Sequence, residues 1–171
     1  MITTETTVEW QVYEAIKRGE VDSALDFIKD EIVNMNWRDK EGHNLLHAVC
    51  EHAPSRHMSI VKELVKKLLA SGISINTATR VGKETPLHIC CSLGKFTLAE
   101  TLLKHRADPN LRDKEGETPL HLIQMFYVGK VNKDWTRLLR KYKARDYVRN
   151  SGALTPEQSY QEWNSDRFNR V

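Results

Sequence analysis

The sequence predicts an all-α solenoid, a row of stacked helix-turn-helix units joined by β-turn loops, and three observations lead there. The tetrapeptide Thr85-Pro86-Leu87-His88 recurs 33 residues later as Thr118-Pro119-Leu120-His121. Each copy is followed by apolar residues at helical spacing that run to a Leu-Leu pair, Leu102-Leu103 and Leu138-Leu139. Between the copies, residues 107–116 are rich in turn formers. A unit of this size cannot bury its apolar face alone. Neighbours must therefore stack into an array that offers a surface more readily than a reaction pocket.

Taken in order, residues 1–7 form a flexible N-terminus and about 8–38 a capping unit. In the latter, Tyr13 to Asp22 reads as helix, glycine stop and second helix, with Tyr13 where later units carry histidine. The second unit, about 39–79, opens on Asp39-Lys40-Glu41-Gly42-His43-Asn44-Leu45-Leu46-His47. Asn44 and Leu45 replace Thr-Pro there, and asparagine is also an N-cap former, so the helix keeps its start. The third unit, about 80–112, is the clearest. The Thr85 hydroxyl can accept an orphan backbone N–H of the first turn, worth about 1 kcal/mol, and Pro86 fits the first helical position, where no donor is needed. That helix carries Leu87, Ile89, Cys90 and Leu93 until Gly94 ends it, and Phe96, Leu98, Ala99, Leu102 and Leu103 form the next. The fourth unit spans about 113–149. A half unit, about 150–171, restarts at Asn150 with Thr155 and Gln158 placed as a capping box and a last helix running to about Trp163. The total is about 4.5 units, above the three or so that a stack needs.

The spacing is uneven. His47 and His88 are 41 residues apart, of which one extra residue falls at Gly82-Lys83 and seven at 53–58. His121 and Gln158 are 37 apart, with about three extra residues near 128–134. Enlarged helix-to-helix loops are expected in the second and fourth units, on one edge of the stack.

Turn, helix, helix at this period with a Thr-Pro-Leu-His start resembles the ankyrin repeat family, over most of the chain. The resemblance implies an ankyrin-type solenoid whose turn tips and first helices form a concave groove for a protein partner. It implies a groove surface with Lys40, Glu41, His43, Arg80, Lys83, Lys114, Glu115 and Glu117 on the tips. On the helices it implies Glu51, His52, Ser92, Leu93, Met125 and Phe126. It also implies that the unit histidine ties turn to helix. Leu93, Met125 and Phe126 are costly to leave in water, since burying one yields about 1.5–3 kcal/mol. Two readings of them stay open: an anchor for a partner, or a tuck of Met125 and Phe126 beneath the loop before Trp135.

With 40% apolar and 29% charged residues the chain should fold. The start, 1–7, has neither the basic residues nor the apolar core of an export signal, and no apolar run nears the roughly 20 residues that cross a bilayer. A cytoplasmic or nuclear location is expected, with no membrane role. Cys50, Cys90 and Cys91 should be free thiols, packed as small hydrophobes. His47, Cys50, His52 and His57 lack the paired close spacing of a zinc site, and no nucleophile-base grouping or phosphate-cradling loop is present. No metal, cofactor or catalysis is therefore expected.

The net charge of +3 is unevenly placed, because residues 130–149 hold eight basic side chains against two acidic ones. Within that stretch Arg137, Arg140, Lys141, Lys143 and Arg145 form a candidate basic patch for an acidic or phosphate-rich partner. The leading expectation is an intracellular adaptor or competitive inhibitor that grips a protein, as a monomer or a subunit of a hetero-complex. The alternative is a nucleic-acid-associated or acidic-partner-binding factor that uses residues 130–149.

Overall fold

The computed structural model describes residues 7–29, 33–34 and 36–168, excepting the side chains of 163, 164 and 166–168. The predicted flexible start, Thr7 apart, lies outside these residues, as does the side chain of Trp163. Among the described residues there are nine α-helices and no strand. They are α1 (Val8–Lys17), α2 (Val21–Phe27), α3 (Leu45–His52), α4 (Met58–Ala70), α5 (Pro86–Ser92), α6 (Phe96–Lys104), α7 (Pro119–Phe126), α8 (Gly129–Lys141) and α9 (Pro156–Phe168).

Odd-numbered helices form an inner layer in which α1, α3, α5, α7 and α9 each pack on the next. Even-numbered helices form the outer layer, and each packs against the inner helix before it. The all-α stack expected from the period is thus what forms. Its core is one continuous column. Ile16, Leu46, Val49, Leu87, Cys90, Leu120 and Ile123 enter it from the inner helices, and Leu64, Leu68, Leu98, Leu102, Trp135 and Leu139 from the outer ones. Truncating one such leucine to alanine costs about 2–5 kcal/mol, so neighbouring pairs hold each other up.

The helix starts follow the capping chemistry of the sequence. Asn44, Thr85 and Thr118 stand at the N-caps of α3, α5 and α7, each in a capping box with the histidine three residues on, and Pro86 and Pro119 begin their helices. Thr7 caps α1, accepting from the Trp10 N–H at 3.3 Å.

The enlarged loop of the fourth unit is a correction, and that of the second holds only in part, the α3–α4 link at 53–57 being longer than the α5–α6 link at 93–95. Extra residues are also wound into the outer helices, since α4 and α8 are 13 residues long where α6 has 9. Before α4 there remain Ala53, Pro54 and a 3-10 turn at Ser55–His57; between α7 and α8 only Tyr127 and Val128 remain. Hydrogen bonding explains the second case. Asn132, one turn into α8, donates from Nδ2 to the carbonyls of Ile123 and Tyr127 (3.1 and 3.0 Å), satisfying acceptors that an open loop would leave to water.

Candidate functional site

Among the described residues, four hairpins project from the helix starts. Each closes on a backbone bond: Asp39 N–H to His43 O, Thr79 to Glu84, Asp113 to Glu117, and Asn150 to Leu154, all at 2.9–3.0 Å. Asp39 Oδ1 accepts from the Glu41 and His43 N–H groups, and Asp113 Oδ1 from that of Glu117, which fixes the turn shape. Successive tips are then tied to one another. Arg80 N–H donates to Glu41 O (2.8 Å), Lys114 to Gly82 (2.9 Å) and Ser151 to Glu115 (2.8 Å). Gly42, with φ +88°, makes the first tie fit, because a Cβ there would stand 2.7 Å from Arg80 N.

The unit histidines lock tips to helices. His47, His88 and His121 are buried, and each accepts at Nδ1 from the N–H of its own N-cap residue (3.1–3.2 Å). That bond leaves the proton on Nε2, which meets the carbonyl of Glu84, Glu117 or Leu154 in the following hairpin, each at 3.1 Å. The histidine thus joins neighbouring units as well as turn to helix. With both nitrogens of His47 engaged and Cys50 buried, His47, Cys50, His52 and His57 do not form an open ligand set. Cys90 and Cys91 are likewise buried free thiols, and burial pushes both well above the usual thiol range.

On these hairpins Lys40, Glu41, Arg80, Lys83, Lys114 and Glu115 are exposed, while His43 and Glu117 are half-buried at the bases. The structure adds Glu84, which holds the same place in its hairpin as Glu117 and was not among the residues expected from sequence. Burial first, then the Asp113 charge, pushes the Glu84 and Glu117 carboxyls up. Asp39 goes the other way: burial opposes its charge, but hydrogen bonds from the His43 ring and backbone hold it below the usual range. Asp39, Glu41 and His43 each bring one ligand-type atom within 4.8 Å of the others, and the Asp39–His43 pair is already bonded at 2.9 Å.

The helix residues end the inner layer. Glu51 and His52 close α3, Ser92 and Leu93 close α5, and Met125 and Phe126 close α7. Leu93 and Phe126 occupy equivalent places in neighbouring helices and are 52% and 51% exposed, so the tuck beneath a loop does not occur for Phe126. Met125 is half-buried. These ends are braced by side chains from the next unit. Lys95 Nζ donates to the carbonyls of Glu51 (2.8 Å) and Ala53 (3.1 Å) at the end of α3, and the Tyr127 hydroxyl donates to Ser92 O (3.2 Å).

The basic stretch splits in two. Arg137, Arg140 and Lys141 lie on the solvent face of α8 beside Lys130 and Lys133, where Arg137 pairs with Asp134 (3.4 Å) and Arg140 with Asp146 (3.1 Å). Lys143 and Arg145 leave that helix for the following turn, which Asn110 clamps through Lys143 O and Arg145 N. Val128 and Val131, both more than half exposed beside these cations, were hidden to sequence reading by the loop assigned there. A valine spacing at i, i+3 in a charged segment was the available signal.

Comparison with known proteins gives one consistent result. Residues 12–113 and 57–147 match the family model described as ankyrin repeats (3 copies). An ankyrin repeat-containing protein of Schizosaccharomyces pombe, P1E11.10, is 34% identical over 96 residues, 56% of this chain and 43% of that protein. Ankyrin repeat and SOCS box protein 11 of Danio rerio is 32% identical over 111 residues, 65% of this chain and 34% of the relative. The human 2-5A-dependent ribonuclease is 42% identical over 60 residues, 35% of this chain and 8% of the enzyme. The chain thus spans less than half the length of these relatives.

Proposed function

Because this chain belongs to the ankyrin repeat family, whose repeats are protein-protein interaction modules rather than enzymes, we propose that it acts as an adaptor or competitive inhibitor through its groove. The observation that carries this reading is the pair Leu93 and Phe126, two large apolar side chains half in water at matching places of neighbouring helices. Covering the exposed half of each is worth about 1 kcal/mol, and a few well-buried anchors carry most of an interface's energy. The braced helix ends and tied tips leave little to order on binding, which lowers the entropic cost of association. Among the described residues no helix is long and apolar enough to cross a membrane. The proposed setting is the cytoplasm or nucleus, with the chain as a monomer or one subunit of a hetero-complex. Relatives named for a SOCS box or a BTB/POZ domain combine these repeats with a second module, which favours the adaptor form of the reading.

The test is capture of partner proteins from native cells by the wild-type chain and by the L93S/F126S double variant. Loss of a captured protein in the variant, with unchanged circular dichroism and Tm, supports the groove. Retention of every captured protein overturns it.

A further inference from the structure

We propose that the groove takes a basic segment of its partner protein, with Lys or Arg side chains seated against Glu84 and Glu117 and an apolar side chain against Leu93 and Phe126. This rests on the groove reading above and adds the chemistry of the occupant. Glu84 immediately precedes the N-cap of α5 and Leu93 is its C-cap; Glu117 immediately precedes the N-cap of α7 and Phe126 is its last residue. Because α5 packs on α7, the four residues make a frame with carboxylates along one rail and apolar side chains along the other. The rails lie roughly 13 Å apart, and the two units about 10 Å. Both rungs are inside the stack, with α3 packed on one side and α9 on the other.

The chain's own cations do not use these carboxylates. Lys114 pairs with Glu115 (3.5 Å), and the Arg80 guanidinium donates to Lys40 O (3.4 Å). Among the described residues Glu84, Asp113 and Glu117, all half-buried, form no ion pair. They act on one another instead. Burial first, then the Asp113 charge, raises the Glu84 carboxyl, and Glu115 and Glu51 add to this against His43 alone. Burial, Asp113 and Glu115 raise Glu117, with the Asn150 side chain offsetting part of the effect. This end of the groove is therefore negative, although Lys40 and Lys83 stand on the tips. Phosphates or acidic side chains would add a like charge there, whereas an ammonium or guanidinium relieves the repulsion. The other rail excludes a bare cation as the whole occupant. Leu93 and Phe126 need an apolar side chain to cover them, so the fitting partner is a peptide segment that carries both kinds of residue.

The probe is a random peptide library of about 12 residues displayed on phage, long enough when extended to cross three units. Selection on the wild-type chain should enrich Lys and Arg over Asp and Glu by about twofold or more in the recovered peptides. By fluorescence anisotropy, a recovered peptide should bind E84Q/E117Q about tenfold or more weakly at unchanged circular dichroism, and L93S/F126S likewise. E84Q alone replaces the double variant if that one fails to fold, with weakening of about threefold or more expected. The proposal falls if the recovered peptides show no basic excess, if E84Q/E117Q binds them as tightly as wild type, or if no peptide is recovered. Peptides without a basic excess that are lost in L93S/F126S leave the groove reading standing without this one. Basic peptides weakened by E84Q/E117Q but held by L93S/F126S support the carboxylate rail and remove Leu93 and Phe126 as anchors.

Discussion

The Nε2–H of His88 donates to the carbonyl oxygen of Glu117 at 3.1 Å, while its Nδ1 accepts from Thr85 N–H, so one buried ring spans two neighbouring units. His47 and His121 repeat the arrangement. A neutral ring in a fixed tautomer is what these bonds require, and protonating Nδ1 would remove an acceptor that the N-cap N–H needs.

Stability should therefore fall as the solution is acidified. Burial, only partly offset by the Glu84 carbonyl, pushes His47 down to about 4, and burial lowers His88 and His121 too. Their folded values lie below the unfolded value of about 6.5, so the unfolded chain takes up protons first. The contribution is whole above about pH 6.5 and is lost as pH drops through the window towards about 4, with His47 alone giving up on the order of 2 kcal/mol by about pH 5. Urea midpoints measured from about pH 7.5 to about pH 4.5 should decline steadily; a flat profile contradicts the assignment.

Gly42→Ala should cost about 2 kcal/mol or more, because the new methyl meets the Arg80 backbone at 2.7 Å and the residue holds φ +88°. Lys83 occupies a left-handed position one hairpin later, at φ 53°, with a side chain already present. Lys83→Gly should accordingly be neutral or mildly stabilising, since relief of about 1 kcal/mol of strain meets a similar entropic cost. Thermal melts of both variants make the comparison.

Trp135→Ala should be the more damaging of two aromatic truncations on the outer layer. Trp135 is 2% exposed, meets Phe96 edge-on with centroids 4.9 Å apart and stacks on Tyr127 at 6.1 Å. A loss of about 3–5 kcal/mol is expected, against about 1–2 kcal/mol for Phe96→Ala, which is partly in water. Equal losses in denaturant titrations would show that the cluster is not centred on the indole.

Lys95→Met keeps the stem but removes the ammonium that caps the end of α3. Leaving the carbonyls of Glu51 and Ala53 without it should cost about 1 kcal/mol, and amide exchange should quicken in residues 45–53 ahead of the rest of the stack. Unchanged exchange in α3 would show that water replaces the amine at no cost.

Much of this was legible in the residues because it is local. Thr85 and Pro86 announce a helix start through capping chemistry that needs nothing beyond the next turn, and the family and its all-α stack follow from their recurrence. The outer helices were less legible. Gly129 to Asp134 has no capping signal, and what makes it helical is Asn132 reaching back to α7, a contact that exists only once both helices are in place. The same holds for Glu84. Its sequence position is unremarkable, and burial in the folded stack, then the charge of Asp113 in the neighbouring hairpin, makes its carboxyl unusual. For the groove, composition marked Leu93 and Phe126 as apolar, whereas their exposure depends on where α5 and α7 end.

The tip ties from Arg80 to Glu41, Lys114 to Gly82 and Ser151 to Glu115 run in series, each hairpin gripping only its neighbour. Tension applied between the two ends of the stack is thus borne by every rung in turn, together with the core column and the histidine bonds that join the same neighbours. Because each unit is held by those beside it, the strength of the whole row is a chain of neighbour-to-neighbour couplings.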